Sequence, residues 1–94
     1  MNKKEAEKLS ILLMQVQARL NESVAYVRDV DSKEEFEKYS GAVGQVMGTL
    51  YLDIEEKLWS RFPELRPKSM DGPYEVSEVI FEPRFYRWND QENT

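Results

Sequence analysis

The sequence of 94 residues contains neither cysteine nor histidine. The absence of cysteine excludes disulfide bonds, a thiol nucleophile and cysteine-ligated zinc or iron–sulfur sites. The absence of histidine removes the commonest general base and the commonest metal-ligating side chain. The side chains that most often act as nucleophile, general base or metal ligand are therefore missing. We predict a protein that is not an enzyme and holds no metal or cofactor.

Long apolar runs are also missing. The longest uninterrupted run has four residues, from Ile11 to Met14, whereas a membrane-spanning helix needs about twenty. Lysines near the N-terminus precede an apolar stretch, but polar residues interrupt it and no small-residue cleavage site follows. We therefore expect no membrane association and a cytoplasmic location.

Positive charge is in the minority. The net charge is −5, with five basic and four acidic residues in 1–30, and four basic and seven acidic residues in each of 31–62 and 63–94. The phosphate backbone of a nucleic acid would be repelled by the last two-thirds of the chain, so we expect no nucleic-acid binding. The acidity fits a solvated surface or, as an alternative, a partner that is itself basic.

Apolar residues of the first third recur at alternating steps of three and four, which is typical of the seam between two long packed helices. The seam consists of Ala6, Leu9, Leu13, Val16, Leu20, Ser23, Val27 and Val30. With no proline or glycine before residue 41, and no capping signal before its end, the pattern predicts one helix over about residues 2–30.

A second helix is predicted over about residues 33–62. Ser32 followed by Glu35 has the spacing of a reciprocal capping box, and Pro63 ends the helix because the residue before proline is pushed out of the helical region. Apolar residues continue at helical spacing throughout: Phe36, Tyr39, Val43, Val46, Met47, Leu50, Ile54, Leu58 and Phe62. Because the link between the helices is two or three residues long, we predict an antiparallel helical hairpin.

Three glycines fall inside the second helix, although each costs roughly 1 kcal/mol of helix propensity relative to alanine. Steps of three and four place them on one stripe, which would let another helix approach closely. The alternative is a break with a shorter helix on either side. We predict a continuous helix and a helix–helix interface made of Gly41, Gly44, Gly48, Val43, Met47 and Leu50.

Two helices cannot bury all of these stripes against each other. The second helix carries both the glycine stripe and a stripe of large apolar residues, namely Val43, Met47, Leu50 and Ile54. A twofold dimer that forms a four-helix bundle is the simplest closed arrangement. We therefore predict an all-α protein that pairs as a homodimer.

The last third, residues 63–94, is predicted to be an irregular arm of the same single domain. It holds all four prolines and the turn signal Asp71-Gly72-Pro73, with a short helix at about residues 77–81. It is too aromatic to be disordered along its length and should pack on its own hairpin or on its neighbour's. Its arginines and aromatic residues could bind a partner, or pair with acidic residues and cover aromatic rings: Arg84, Phe85, Tyr86, Arg87 and Trp88.

Carboxylates cluster once in the second helix, at Asp53, Glu55 and Glu56. We interpret them as a solvated helix face. The alternative is a Mg²⁺ or Mn²⁺ site such as those in all-α nucleoside-triphosphate pyrophosphatases, but the several spaced glutamates of that motif are not matched.

These observations favour a non-catalytic protein-interaction module that acts as a homodimer and also binds another protein. Small acidic helical proteins of bacteria, among them immunity proteins and antitoxins, share this size and charge, so an acidic inhibitor of a basic protein is the alternative. A metal-dependent hydrolase is a further alternative. It would need at least three acidic groups that converge inside the bundle.

Overall fold

The computed structural model describes residues 1–87, which are helical for most of their length. Helix α1 spans Lys3–Val30, and helix α2 spans Lys33–Thr49. A π-helical segment, Leu50–Glu55, follows without a break and leads into helix α3, Glu56–Arg61. The predicted all-α helical hairpin is confirmed, and the second long helix passes through its glycines uninterrupted.

Capping residues explain where the helices begin. The side chain of Asn2 accepts from the backbone N–H of Glu5 at 2.8 Å, and the side chain of Glu5 accepts from the backbone N–H of Asn2 at 2.8 Å. This capping box was not predicted from the sequence. At α2 only half of the predicted box forms. Ser32 Oγ accepts from the N–H of Glu35 at 3.1 Å, but the N–H of Ser32 donates to Oδ1 of Asp31 at 2.7 Å instead of to Glu35.

The two long helices are antiparallel, because residues late in the first helix contact residues early in the second, and residues early in the first contact residues late in the second. Tyr39 donates to Ser23 at 2.9 Å near the link, whereas Trp59 donates to Ser10 at 2.9 Å near the open end. The link consists of two residues between Val30 and the start of α2. The hairpin therefore brings the N-terminal part of α1 against α3.

The core lies at the open end of the hairpin. It consists of Ala6, Met14, Leu58, Trp59 and Leu65, each less than 10% exposed. The predicted seam of α1 is only partly buried: Val16 is 38% and Val30 60% exposed, whereas Ser10 and Met14, which lie beside the seam, are covered. The covered side of α1 faces Trp59 and the C-terminal arm, and no further layer of residues 1–87 covers the outer edge of the seam.

The C-terminal arm, residues 63–87 in the structure, packs on its own hairpin. It contains three 3₁₀ turns, Pro63–Leu65, Lys68–Met70 and Glu78–Phe81, the last at the position of the predicted short helix. Tyr74 donates to the carboxylate of Glu7 at 2.7 Å, and Gln15 donates to the carbonyl of Ile80 at 2.8 Å. Glu7 and Gln15 both belong to α1, so the arm forms a third layer on that helix.

The predicted turn at Asp71-Gly72-Pro73 is present. Asp71 has a left-handed backbone conformation, with φ of 64°, and the N–H of Gly72 donates to the carbonyl of Pro67 at 2.9 Å. The two sides of the loop are joined where the backbone N–H of Tyr74 donates to the carbonyl of Arg66, also at 2.9 Å.

None of the helices in residues 1–87 is both long enough and apolar enough to cross a lipid bilayer.

Candidate functional site

The π-helical segment changes which residues of the second helix face α1. A regular α-helix turns about 100° per residue, and a π-helical turn contains one additional residue, so the pattern after it is displaced by one position. Ile54, which continues the apolar stripe of the sequence, is consequently 48% exposed. Its neighbour Glu55 takes the inward position and is 3% exposed.

The prediction of a solvated carboxylate face was therefore wrong for Glu55. Its Oε1 accepts from Gln17 Nε2 of α1 at 2.9 Å, and the same nitrogen donates to the carbonyl of Met47 at 3.1 Å. Gln17 thus contacts the backbone just before the π-helical segment and the side chain at its end. Insertion of a side chain at a helix carbonyl is a known cause of irregular helix hydrogen bonding, and it accounts for a π turn at this place.

Burial raises the pKa of the Glu55 carboxyl above its ordinary value, and the hydrogen bond from Gln17 opposes that rise only in part. No described lysine or arginine forms an ion pair with it. A buried, perturbed carboxyl beside a π-helical turn is typical of a functional position. The sequence contains no local signal of it, because the inward turn of Glu55 depends on Gln17.

Glu55 opens onto a groove of about 710 Å³, here named the Glu55 groove, between α1, the second helix and the C-terminal arm. Its walls are mostly apolar, with amide and carboxylate groups at a few positions. They are formed by Met14, Gln17, Ala18, Asn21, Met47, Tyr51, Glu55, Trp59, Pro67, Lys68, Ser69, Met70, Glu75, Val76, Glu78 and Phe81.

The other two carboxylates of the cluster point elsewhere. Asp53 is exposed, and Glu56 forms a bidentate ion pair with Arg66, whose guanidinium also lies 5.8 Å from the ring of Trp59. The hydrogen bonds from Arg66 hold the pKa of the Glu56 carboxyl below its ordinary value. Within residues 1–87, no three acidic side chains come together in a way that could hold a metal ion.

The residues of the predicted interface are distributed over different faces. Gly41, Gly44 and Gly48 are exposed, and apart from their own helical neighbours no atom of the described part of the chain lies within 4 Å of a Cβ built on them. Val43 is 7% exposed and belongs to the interior of the hairpin, whereas Met47 lines the Glu55 groove. Contact of the glycine stripe with another helix stays a prediction, since nothing within residues 1–87 covers it.

Leu50 belongs to a different surface, which we name the apolar face. This face crosses from α1 to the second helix on the outer side of the hairpin and contains no charged residue. It consists of Val16, Leu20, Ala42, Gln45, Val46, Thr49, Leu50 and Ile54. Val46 is 54% exposed and Ile54 48%. The displacement caused by the π-helical segment places Ile54 here.

The basic and aromatic residues of the arm meet α1 around Glu22, which is 1% exposed. Its carboxylate accepts from Arg19, from the backbone N–H of Phe85 at 2.7 Å, and from Arg84 at 3.3 Å. Burial alone would raise the pKa of Glu22, but the hydrogen bonds from Arg19 and from the backbone N–H groups of Phe85 and Tyr86 outweigh it and hold the pKa below its ordinary value. This carboxylate therefore holds the arm to α1.

The rest of the predicted partner-binding arm is also engaged within the protomer. The Tyr26 ring makes edge contacts with the rings of Phe85, at 5.3 Å, and Tyr86, at 5.2 Å. Arg87 pairs with Glu82, and the Arg84 guanidinium lies 5.3 Å from the Phe81 ring. Trp88 lies outside the described residues. Glu22 itself was not identified from the sequence, since no local pattern relates it to a segment 62 residues away.

No protein-family model, no curated protein and no solved structure matches this chain.

Proposed function

We propose that this chain is a non-catalytic protein-interaction module that acts as a homodimer, with the two copies in contact through the apolar face. The supporting observation is the composition of that face. It combines exposed apolar side chains from both long helices with the uncharged polar residues Gln45 and Thr49. Exposed continuous apolar surface on a small protein is typical of a protein–protein contact.

A second copy fits this face better than an unrelated acidic or basic partner. Each chain has a net charge of −5, so contact between two copies is opposed least where the touching surfaces themselves carry no charged group. A face without charges allows a twofold contact, in which the same residues meet from both sides. Packing two hairpins in this way closes a four-helix bundle.

The small core of the protomer supports the same proposal. Seven apolar side chains of residues 1–87 are buried, whereas eleven large ones are exposed. A chain of this length buries only about 60–65% of the surface of its unfolded form and is marginal alone. Burying Val16, Val46 and Ile54 between two copies would add apolar contact that one protomer lacks.

The non-catalytic part of the proposal follows from the side chains that are present. The sequence offers no thiol or imidazole, and the acidic residues of the described chain do not converge on a metal position. Among the described residues, the side chain of Glu55 has one hydrogen-bonding partner, the amide of Gln17, which is neither a nucleophile nor an acid. Nucleophilic catalysis needs a nucleophile with its activating base within hydrogen-bond reach.

Light scattering at micromolar concentration tests the proposal. The wild-type chain should have about twice its mass of 11.1 kDa. Val46→Glu and Ile54→Glu should both be monomeric. In a twofold contact each substitution would bury two carboxylates, one from each copy, without a positively charged partner. The matched control is Val79→Glu, which adds the same charge at a side chain that is 71% exposed and lies on the arm; it should stay dimeric. A monomeric wild-type chain, or dimerisation that survives both substitutions on the apolar face, would contradict the proposal.

A further inference from the structure

We propose that the Glu55 groove binds a small organic cation with an apolar body, whose charged nitrogen is recognised by the carboxylate of Glu55. This site is separate from the apolar face, since none of the residues that define that face lines the groove. The inference is therefore independent of dimerisation.

A comparison of the two buried carboxylates in residues 1–87 indicates which one is available to a ligand. Glu22 is 1% exposed and accepts hydrogen bonds from two arginines and from backbone N–H groups of the arm. Glu55 is 3% exposed and accepts one hydrogen bond, from the neutral amide of Gln17. An ionised carboxylate can accept about four. Glu55 therefore keeps acceptor capacity that points into a groove, and it has no compensating positive charge among the described residues.

The groove has the size and composition of a small-molecule site. Its volume of about 710 Å³ lies within the range of roughly 300–1,000 Å³ that is usual for ligand pockets. Met14, Met47 and Met70 contribute flexible thioether side chains, which adapt to ligands of different shape. Segments of α1, of the second helix and of the arm each form a wall, which favours a compact ligand over an extended peptide.

The charges around the groove favour a cation. The lining includes three carboxylates, those of Glu55, Glu75 and Glu78, and one ammonium group, that of Lys68. The ammonium group is paired with Glu75 at 3.0 Å, and neighbouring Glu56 is paired with Arg66. Gln17 and Asn21, the polar residues that α1 contributes to the lining, are neutral. An anion would be repelled here, whereas a cation would supply the partner that Glu55 lacks.

The pKa of Glu55, which burial raises, adds a pH dependence to this recognition. A bound cation stabilises the ionised carboxylate, so binding releases a proton when Glu55 is protonated beforehand. Affinity for a cation should consequently fall as the pH is lowered through the pKa of Glu55. Glu75 and Glu78 also line the groove and also attract a cation, so the comparison of variants below is needed to assign the recognition to Glu55.

Three indole compounds that differ in charge test the proposal: tryptamine, a cation; tryptophol, its neutral analogue; and indole-3-acetate, an anion. Binding to the full chain is measured by calorimetry, and the amide signals of Gln17 and the indole N–H of Trp59 are followed by NMR. We expect tryptamine to bind about ten- to hundredfold more tightly than tryptophol, as is usual for a hydrogen bond to a charged group. Indole-3-acetate should not bind.

Two variants then assign the charge discrimination to one residue. Glu55→Gln keeps the shape of the side chain and should bind tryptamine and tryptophol equally. Asp53→Asn removes the same charge from an exposed position two residues away and should retain the discrimination of the wild-type chain, as should the monomeric Val46→Glu. Circular dichroism verifies that each variant is folded.

The proposal is overturned if the wild-type chain does not distinguish tryptamine from tryptophol, or if Glu55→Gln distinguishes them as the wild-type chain does. It is also overturned if a tetralysine peptide displaces bound tryptamine and binds the groove more tightly than tryptamine does, because the groove would then be a surface for basic peptides. The ligand series on the wild-type chain gives a result even if Glu55→Gln does not fold.

Discussion

The indole Nε1 of Trp59 donates a hydrogen bond of 2.9 Å to the hydroxyl oxygen of Ser10, and both side chains are buried in the core. The bond joins α3 to the N-terminal half of α1 across 49 residues. A buried donor that loses its acceptor costs about 1–3 kcal/mol. We expect Ser10→Ala to lower the free energy of unfolding by that amount, and the thermal midpoint by about 4–8 °C for each kcal/mol.

Urea titrations of the wild-type chain and of Ser10→Ala measure this effect. Ser60→Ala is the matched control, since Ser60 is adjacent to Trp59 in sequence but exposed. It should change stability by less than about 0.5 kcal/mol. Equal stability of Ser10→Ala and the wild-type chain would mean that the hydrogen bond contributes nothing to folding.

Glycine to alanine substitutions should have opposite effects at two positions. A Cβ at Gly72 would lie 2.1 Å from the carbonyl oxygen of Arg66, which belongs to the backbone and cannot move aside, so Gly72→Ala should destabilise the loop. A Cβ at Gly44 meets nothing within 4 Å. Gly44→Ala should therefore stabilise the protein by up to about 1 kcal/mol through helix propensity and leave the dimer intact.

Thermal unfolding and light scattering on both glycine variants provide the measurement. This outcome at Gly44 differs from the one that the glycine stripe suggests from sequence, where another helix is in contact with it. If Gly44→Ala instead dissociated the dimer, the contact between copies would lie on the glycine stripe and not on the apolar face.

The π-helical segment makes a prediction about deletions. The π-helical segment contains one residue more than a regular α-helix would have there. Deleting Asp53, an exposed residue of the segment, removes this extra residue, so a regular α-helix would then keep Glu55 and Trp59 facing α1. We expect this deletion variant to fold with a thermal midpoint within a few degrees of the wild-type value. Deleting Gln45 from the regular part of α2 should prevent folding, because all following side chains turn by about 100°. Circular dichroism distinguishes the two, and loss of structure in both would contradict the predicted register.

The stability contributed by Glu55 should depend on pH with a sign opposite to that of most carboxylates. Its folded pKa is raised, so the folded state retains a proton that the unfolded state releases, and stability falls as the pH rises from the unfolded to the folded pKa. Glu55→Gln should therefore be more stable than the wild-type chain above that window, with no difference below about pH 4, where both side chains are neutral.

Urea midpoints between pH 3.5 and 8, compared with those of Asp53→Asn, test this sign. The control matters because Glu55 is one of 18 acidic residues in the chain. A Glu55→Gln variant that is less stable at neutral pH and equal at low pH would show that the ionised carboxylate stabilises the fold.

The helical hairpin could be predicted because the signals that determine it are local. Apolar spacing identifies the long helices, Ser32 marks the start of α2, and Pro63 marks the end of α3, whose last residue is Arg61. The turn at Gly72 was likewise predicted from adjacent residues. Each of these features depends on residues within a few positions of one another.

The features that were missed depend on residues that are distant in sequence. The π-helical segment coincides with a bond from Gln17 to the carbonyl of Met47, 30 residues away. Without it, helical periodicity places Ile54 inward and Glu55 outward, the reverse of the structure. The role of Glu22 was missed for the same reason, because its partners Arg84 and Phe85 come from the arm.

The bond between Glu22 and Phe85 spans 63 residues, whereas the hairpin closes through a two-residue link. Closing a long loop costs more chain entropy than closing a short one, and local contacts form first during folding. The hairpin should therefore assemble before the arm docks, with docking after the rate-limiting barrier. In kinetic terms, Glu22→Gln should accelerate unfolding and leave the refolding rate nearly unchanged. The buried carboxylate would then determine how long the folded protein persists, and not how fast it forms.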